Sequence, residues 1–530
     1  MAYYQDLREF ILTLEQAGKL VRIHRPMIRE TEIMPLSRLQ FRGLPEEERK
    51  VFLFENVMDV KGRHYPGKVA TGIYGASREI YALGMKCAPK EIFDRWDAAL
   101  AHPIDPQIVS SGPVRQEVHV GKDIQSIGLY EFPLPVEEPG YSGTIRTTNQ
   151  FVTKDPDTGI RNVGTYSGHL RSPNRLLVGC GLTHHGYVHL QKYRERKTPM
   201  PAAIIIGATP NLMQVSSTNV PYGVDEYAVA GAIAGEPFKL IKCETVDLEV
   251  PAFAEIVIEG LVSTDTFEPH ASFGEYPGYM YEGSNDMRPV MEVTAITHRK
   301  DPIVTPMLVG LPPSDNHMLM VISTEATYYR FLKYASNNPN IVDVAFHESG
   351  GGWNYCVVSL HKTHPSQPWQ VLNGISAFDP VIGKIAIVVD EDIDPHDPDA
   401  VNWALSYAMQ PHRDVRIITG RSPALDPSGS APGSSREVRG YPPPEGASAM
   451  LIDATRKWPY PPVGLPKKEY MESAIHLWGE LGLPPLKLKK PWHGYTLGNW
   501  TAEDEENAEL VLKGAYREIG RKMLQRQVKK

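Results

Sequence analysis

Asn162, His185 and Glu226 are three polar residues whose side chains could together hold a divalent metal ion. An amide oxygen, an imidazole and a carboxylate suit Mn²⁺ or Fe²⁺ and leave coordination positions for phosphate or water. Glu226 also precedes a run of small residues typical of a helix, and helix N-termini favour acids. Spacing alone therefore leaves two interpretations: a metal site, or surface histidines with a turn asparagine and acids that stabilise a helix.

Hydroxyl groups are concentrated at Ser216, Ser217 and Thr218. This segment could offer hydroxyls and backbone amides to a phosphate group, although many serine-rich segments are simple turns. The sequence contains no P-loop and no HExxH motif, and the glycine-rich run that begins at Gly179 has one residue too many for a dinucleotide-binding fingerprint.

An acidic residue, Glu275, lies between two glycines and three aromatic residues in the segment 273–279, with His270 five residues upstream. A carboxyl group held among aromatic rings has a raised pKa and can act as a proton donor near neutral pH. The alternative is a Gly/Pro turn in which Glu275 is solvated.

Composition narrows the class of protein. The chain has 530 residues, 42% of them hydrophobic, which predicts two or three packed domains. A net charge of −8 gives no overall attraction for nucleic acid or anionic membranes. No apolar run reaches the roughly 18 residues of a transmembrane helix, and we expect no signal peptide. Four cysteines without a CxxC pair argue against a disulfide framework and against a thiolate metal cluster. We therefore expect a cytoplasmic enzyme.

Changes in the pattern of predicted helices and strands along the chain indicate the domain organisation of an α/β (α+β multidomain) protein. Residues 1–115 alternate helical and strand patterns, whereas 116–315 contain short strand patterns between Gly/Pro turns, typical of a sheet or open barrel. Residues 316–470 return to α/β alternation, and the proline-rich segment 421–448 is predicted to be a loop or lid.

The final segment, 471–530, is predicted to contain a long amphipathic helix. Thr501 and Asp504 have the spacing of a capping box, and one apolar stripe continues to Met523. A helix of this kind either covers its own domain or packs on another subunit, and we favour the second.

Nine short segments, in this order and spacing, resemble the UbiD family of decarboxylases, which use prenylated flavin mononucleotide (prFMN). These segments are Asp6-Leu-Arg-Glu-Phe10, Phe54-Glu-Asn-Val57, Asn162-Val-Gly-Thr-Tyr166, Asp225-Glu-Tyr227, Ala230-Gly-Ala-Ile-Ala-Gly-Glu-Pro237, Lys242-Cys-Glu-Thr245, Phe273-Gly-Glu275, Val389-Asp-Glu-Asp-Ile-Asp394 and Ile452-Asp-Ala-Thr455. The resemblance implies an N-terminal α/β domain, a central split β-barrel like that of flavin reductases, and a C-terminal α/β domain followed by an oligomerisation helix.

The resemblance also implies a set of binding residues. Asn162, His185 and Glu226 match the family's ligands for a divalent metal (Mn²⁺ or Fe²⁺), with His184 as the other register for the imidazole. The segment from Ser216 to Thr218 matches residues that approach K⁺ and the flavin phosphate. The remaining matches to cofactor-binding positions are Thr165, Tyr166, Ser167 and Lys384.

The chain departs from the family pattern at two positions of its active-site Glu-Arg-Glu set. The arginine position is Ser167 and the first glutamate position is His270, while the second glutamate is present as Glu275. Loss of the arginine together with its carboxylate partner leaves no buried charge unpaired, which indicates replacement of the pair. Three nearby residues could restore a cationic contact: Arg146, His169 and Arg171.

This resemblance implies non-oxidative, reversible decarboxylation of an aromatic or α,β-unsaturated acid through a covalent prFMN adduct. Glu275 would donate the proton, with His270 as its partner and Ser167 beside the substrate. The departures favour a carboxylated aryl-CoA thioester such as phthaloyl-CoA, and free hydroxylated or heteroaromatic acids are alternatives. We expect cofactor supply by a flavin prenyltransferase and a homo-oligomer (dimer or hexamer). Two further alternatives are a non-catalytic flavin-binding accessory subunit and a metal hydrolase without flavin.

Overall fold

The computed structural model describes residues 2–126, 128–179, 184–281, 287–422, 425–429, 447–490 and 500–527. Cys180, Gly181 and most of the predicted loop 421–448 therefore lie outside the described residues. Within the described ranges no helix is long and apolar enough to cross a membrane.

The N-terminal part is a small α/β unit whose first helix begins with a side-chain cap. Asp6 accepts a hydrogen bond from the backbone N–H of Glu9 (3.0 Å), and the following helix buries its apolar face. The helices are α1 (Leu7–Gln16), α2 (Ile33–Gly43), α3 (Arg78–Met85) and α4 (Ile92–Ala101), and the strands are β1 (Leu20–Ile23), β2 (Met27–Ile28), β3 (Val51–Phe54), β4 (Val57–Met58), β5 (His64–Tyr65) and β6 (Lys68–Thr71).

The central part closes into a six-stranded antiparallel barrel, which confirms the predicted β-rich central region and the mixed α/β fold class. The barrel closes because its last strand in the sequence (287–298) pairs with its third (175–179), with Leu177 opposite Val290. In the order in which they neighbour each other, the barrel strands are β11 (Arg175–Gly179), β10 (Arg161–Ser172), β9 (Arg146–Lys154), β12 (Met200–Ile206), β15 (Ile256–Pro269) and β18 (Met287–His298).

Helices and short strands between the barrel strands complete the central part. The helices are α5 (Asp123–Ser126), α6 (His185–Arg196), α7 (Pro210–Ser216) and α8 (Glu226–Ala234). The short strands are β7 (Gln107–Ile108), β8 (Glu117–Val120), β13 (Lys239–Lys242), β14 (Glu249–Pro251), β16 (Phe273–Gly274), β17 (Met280–Tyr281) and β19 (Ile303–Val304).

The C-terminal part is built on a five-stranded sheet in the order β20-β21-β22-β24-β23, with its middle strands parallel and buried. Its strands are β20 (Ile341–Phe346), β21 (Tyr355–Leu360), β22 (Ile385–Asp390), β23 (Val415–Arg421) and β24 (Ala447–Asp453). Its helices are α9 (Asp315–Arg330), α10 (Gln367–Phe378), α11 (Pro398–Tyr407) and α12 (Pro411–Asp414).

Within the described part of the C-terminal segment the helices are α13 (Lys468–Glu480), α14 (Ala502–Leu512) and α15 (Tyr516–Leu524). The prediction of one long helix is wrong, because α14 and α15 are separate helices. The capping box is confirmed, with Thr501 accepting from Asp504 N–H. The chain turns at Gly514, whose φ of +72° favours glycine and ends the helical path. The apolar stripe continues from α14 into α15, so the periodicity of apolar residues does not reveal the break between the two helices.

Candidate functional site

Asn162 and Glu226 meet where strand β10 passes the start of helix α8. The Glu226 carboxylate accepts a hydrogen bond from the backbone N–H of Val163 (2.9 Å), the residue that follows Asn162. Asp225 fixes this helix start by accepting from Tyr227 N–H (2.9 Å) and by pairing with Arg161. Asn162 and Glu226 are both buried, so the Glu226 carboxylate is held against the backbone of β10 at the residue that follows Asn162.

The phenol of Tyr166 joins this pair to the start of helix α6. Its hydroxyl accepts a hydrogen bond from Asn162 Nδ2 (3.3 Å) and another from Gly186 N–H (3.2 Å). The Tyr166 ring also stacks on His184, with ring centroids 5.3 Å apart, while the half-buried His185 contacts the ring of Tyr222. Tyr166 therefore links Asn162 to the first turn of α6 and to His184, whereas the ring contact of His185 is with Tyr222.

Burial raises the pKa of the Glu226 carboxyl to about 8, with a smaller contribution from Asp225, although the hydrogen bond from Val163 opposes the shift. A cation would stabilise the charged form of such a carboxylate. The described residues contain no group of three or more His, Cys, Asp or Glu that could hold a metal. The donor set of Asn162, Glu226 and one histidine has only two such residues, and it fits a hard or borderline divalent ion.

Three hydroxyl groups cluster between strand β10 and the end of helix α7. Thr165 Oγ1 lies 3.0 Å from Ser216 Oγ and 3.1 Å from Ser217 Oγ. Thr218 differs, because its hydroxyl donates to the carbonyl of Gln214 (2.7 Å) within the helix. Thr165, Ser216 and Ser217 thus form one compact group of donors and acceptors, and Thr218 caps the helix beside it.

One face of strands β9 and β10 carries buried polar atoms that have no hydrogen-bond partner within the described residues. These atoms are Thr148 Oγ1, both amide atoms of Gln150 and both ring nitrogens of His169. Thr148 lies opposite Ser167, and Gln150 lies opposite Thr165. Unpartnered buried polar groups are costly, so a ligand with both donors and acceptors fits this face. An isoalloxazine ring meets that requirement, with the hydroxyl cluster available for its phosphate.

Glu275 lies in the turn that joins β16 and β17, where two glutamates and an arginine hold the backbone. The buried Arg146 pairs with Glu137 and donates to the carbonyl of Gly274 (2.6 Å). Glu138 accepts from the N–H of Gly274 (3.1 Å). Burial raises the pKa of Glu137 to about 7, although Arg146 opposes the shift. The partly exposed carboxylate of Glu275 accepts from Tyr276 N–H (2.8 Å).

His270 belongs to a cluster of rings next to this turn. Its ring lies 5.6 Å from that of His169 and 5.0 Å from that of Phe273, and its Nδ1 contacts the carbonyl of Ala271 (2.8 Å). The guanidinium of Arg146 lies over Phe273, 4.8 Å from its centroid. Phe273 therefore connects His270, His169 and the residues that hold Glu275.

Of the three residues expected to restore a cationic contact, two pack around Phe273 and the third does not. Arg146 and His169 pack around Phe273. Burial lowers the pKa of His169 well below its ordinary value, and nearby arginines contribute, so His169 is neutral. Arg171 instead pairs with Glu268 (3.1 Å) and donates to the carbonyl of Pro269, the residue before His270.

Sequence reasoning missed Arg288, whose buried guanidinium lies beside Ser167. A Cβ atom added at Gly179 would be 1.7 Å from Nη1 of Arg288 and 3.3 Å from Ser167 Oγ. Arg288 is 121 residues from Ser167 in sequence, so only the pairing of β11 with β18 brings them together. An arginine in a strand of otherwise apolar residues, Arg288-Pro-Val-Met291, was the available signal.

Lys384 lies in the C-terminal part, immediately before β22. It pairs with Asp426 (2.6 Å) and donates to Ser428 (2.8 Å). These contacts do not connect it to the hydroxyl cluster of Thr165, Ser216 and Ser217, so its expected role at the phosphate stays a prediction.

Three family models match the chain in succession, and they define what kind of protein this is. The 3-octaprenyl-4-hydroxybenzoate carboxy-lyase N-terminal domain matches residues 11–100, its Rift-related domain 107–312 and its C-terminal domain 317–454. An uncharacterized protein of Aquifex aeolicus is 33% identical over 91% of this chain and 99% of its own length. The chain belongs to the UbiD family of carboxy-lyases.

Solved structures of this class share the fold. An evolved dimeric form of the UbiD-class enzyme HmfF from Pelotomaculum thermopropionicum, in complex with prFMN, is 28% identical, with a TM-score of 0.75 over 87% of this chain and 97% of that one. The closed form of vanillic acid decarboxylase from Sedimentibacter hydroxybenzoicus is also 28% identical, with a TM-score of 0.75 over 90% and 99%.

Proposed function

We propose that the protein catalyses non-oxidative, reversible decarboxylation of an aromatic acid with bound prFMN. The observation that carries the proposal is the face of β9 and β10, whose buried polar atoms lack partners among the residues that the structure describes. Glu226 contacts the backbone of β10 next to Asn162, and Arg146 of β9 holds the turn of Glu275. Membership of a carboxy-lyase family, similarity to a UbiD-class enzyme in complex with prFMN and similarity to a vanillic acid decarboxylase support the same conclusion.

The residues divide into groups with separate tasks. Asn162, Glu226 and one of the two histidines at the start of α6 would hold a divalent ion, with His185 as our assignment. The hydroxyls of Thr165, Ser216 and Ser217 would bind the flavin phosphate together with K⁺. When bound, the prenylated flavin would supply an electron sink for the carbon that loses CO₂.

Glu275 is our proton donor to the decarboxylated carbon. Its carboxyl group is partly exposed, which allows proton exchange with water, and its backbone is fixed through Arg146 and Glu138. His270 lies across Phe273 and would act as a relay or orienting group, because an imidazole can exchange a proton near neutral pH. Ser167 would contact the substrate from β10.

The substrate class follows in outline from the ring cluster. Phe273, His270 and Tyr281 provide flat surfaces that suit an aromatic acid. Within this class we propose a carboxylated aryl-CoA thioester such as phthaloyl-CoA, whose thioester withdraws electrons from the ring. Free hydroxylated or heteroaromatic acids are the competing candidates.

The test is CO₂ release by the full chain co-expressed with a flavin prenyltransferase and handled without oxygen. Free aromatic acids and their CoA thioesters are supplied side by side, and deuterium incorporation at the vacated carbon is followed in D₂O. We expect release of CO₂ with one deuterium per product, faster for the thioester. Rapid turnover of the free acid without turnover of its CoA thioester would exclude the thioester as the substrate. Bound flavin without turnover of any acid would support the accessory-subunit alternative, and metal without flavin would support the hydrolase.

A further inference from the structure

Four strands of the barrel place a row of residues on the face that contains the unpartnered polar atoms. Thr148 on β9 lies opposite Ser167 on β10, and Ser167 lies opposite Gly179 on β11. The pairing of Leu177 with Val290, carried two residues further, places Arg288 of β18 opposite Gly179. Directly opposed residues of antiparallel strands share a face, so Arg288 and Ser167 point to the same side.

Gly179 permits the guanidinium of Arg288 to reach Ser167. The position that a Cβ atom of residue 179 would occupy is 1.7 Å from Arg288 Nη1, so any side chain there would displace the guanidinium. The same position is 3.3 Å from Ser167 Oγ. A missing side chain on β11 and a small one on β10 thus leave room for an arginine that enters from β18.

The surroundings of Arg288 make it a buried, oriented group. The residue is 6% exposed, and its guanidinium lies over the ring of Phe273, 5.4 Å from the centroid. His169, two residues after Ser167 on the same face, is 1% exposed and has no hydrogen-bond partner for either ring nitrogen within the described residues. The guanidinium of Arg288, the hydroxyl of Ser167 and the imidazole of His169 therefore share one buried face, and the imidazole has no hydrogen-bond partner among the described residues.

We propose that Arg288, Ser167 and His169 form the subsite that binds the carboxylate of the aromatic acid. This inference rests on the proposed function and names the group that recognises the substrate. The planar guanidinium can donate two parallel hydrogen bonds to a carboxylate, and the serine hydroxyl can donate another. The phosphate of a cofactor has its own group of hydroxyls at Thr165, so this second set of donors serves a different anion.

The experiment compares binding of benzoate with binding of its neutral isostere benzamide, by calorimetry on the full chain purified after co-expression with a flavin prenyltransferase. The variants are Arg288→Gln, Arg288→Lys and Gly179→Ala, which keeps the arginine and displaces it. Arg175→Gln is the matched control, because Arg175 lies on the same strand as Gly179 and pairs with Glu292 in a partly exposed position.

Wild-type protein is expected to prefer benzoate, and Arg288→Gln to weaken benzoate about ten- to hundred-fold while benzamide changes little. Gly179→Ala should behave like Arg288→Gln, Arg288→Lys should retain part of the preference, and Arg175→Gln should retain all of it. A wild-type protein without preference for benzoate would overturn the subsite, as would equal losses of both ligands in Gly179→Ala. The binding readout needs no turnover, so it separates failure of this subsite from failure of the proposed decarboxylation.

Discussion

At the scale of single residues, the substitutions at Ser167 and His270 are explained by what surrounds them. Ser167 lies beside the guanidinium of Arg288, and His270 lies in a cluster of rings next to the buried pair of Glu137 and Arg146. An arginine at Ser167 would place a second positive charge against Arg288. The positive charges of the site are therefore supplied by Arg288 of β18 and Arg146 of β9 instead of by residue 167. The absence of an arginine at position 167 agrees with the absence of a glutamate at position 270.

The assignment of Glu275 as proton donor predicts the behaviour of Glu275→Gln. The amide keeps the shape and can still accept from Tyr276 N–H, but it has no transferable proton. We expect decarboxylation to fall by about 10²- to 10⁴-fold while flavin absorption and metal content stay at wild-type values. Glu292→Gln, in an exposed position on β18, is the control. Near-normal turnover by Glu275→Gln would show that another group supplies the proton.

The assignment of Glu226 as a metal ligand predicts a different failure. Glu226→Gln retains an acceptor for Val163 N–H but removes the negative charge, so divalent metal and flavin should be lost together. Elemental analysis and the absorption spectrum measure both on one sample. Glu236→Gln, an exposed acid just beyond the end of the same helix, should bind both normally. Full occupancy in Glu226→Gln would remove this residue from the ligand set.

At the scale of elements, the hydroxyl cluster depends on the crossing of β10 and α7. Thr165→Val removes the one hydroxyl that contacts both Ser216 and Ser217, at nearly constant volume. We expect affinity for FMN to weaken about ten-fold, measured by fluorescence quenching in buffer that contains K⁺. Thr158→Val, in an exposed turn, is the control and should not change affinity. Unchanged affinity in Thr165→Val would place the phosphate elsewhere.

The elements show which parts of the fold and site could be predicted from the sequence. Local signals succeeded: Thr501 and Asp504 form the expected capping box, and the small residues after Glu226 form the expected helix α8. Barrel closure and strand register depend on pairings between distant residues, which local patterns do not encode. Arg288 was missed for this reason. The C-terminal helix was predicted too long, because an apolar stripe does not report the backbone turn at Gly514.

At the scale of the whole molecule, Tyr276 joins the turn of Glu275 to the C-terminal part. Its hydroxyl donates to the carbonyl of Gly351, its ring lies 4.5 Å from that of Trp353, and its carbonyl accepts from His317 Nε2 (2.7 Å). Because the neighbouring residue is the proposed proton donor, the position of Glu275 depends on contact between the barrel and the C-terminal sheet.

This contact predicts a loss of stability in acid that depends on His317. Burial, with a smaller contribution from Arg38, lowers the pKa of His317 from 6.5 to about 4, although the bond to Tyr276 opposes the shift. Between these values the unfolded chain binds a proton that the folded chain does not, so stability is complete above pH 6.5 and falls towards pH 4. The loss approaches about 3 kcal/mol.

His317→Gln should reduce this acid sensitivity, because glutamine can donate to the Tyr276 carbonyl without titrating. The measurement is the change in Tm between about pH 7 and about pH 5. His364→Gln, at an exposed position, serves as the control and should keep the wild-type pH dependence. An unchanged pH dependence in His317→Gln would assign the acid sensitivity to other groups.

The C-terminal segment 471–530 predicts the assembly of the protein. Helices α13, α14 and α15 bury no residue within this chain, and they expose large apolar side chains such as Leu481, Leu512 and Leu524. We expect these faces to pack on another copy of the chain. Removal of residues after 467 should lower the mass measured by light scattering to that of one chain. A truncated protein that keeps the full assembly would place the interface elsewhere.

Binding of prFMN and a divalent ion by this chain can be measured by native mass spectrometry under anaerobic conditions after co-expression with a flavin prenyltransferase. We expect one prFMN and one divalent ion in each wild-type chain, and neither in Glu226→Gln. A wild-type chain that carries metal without flavin, although the prenyltransferase is active, would contradict this expectation.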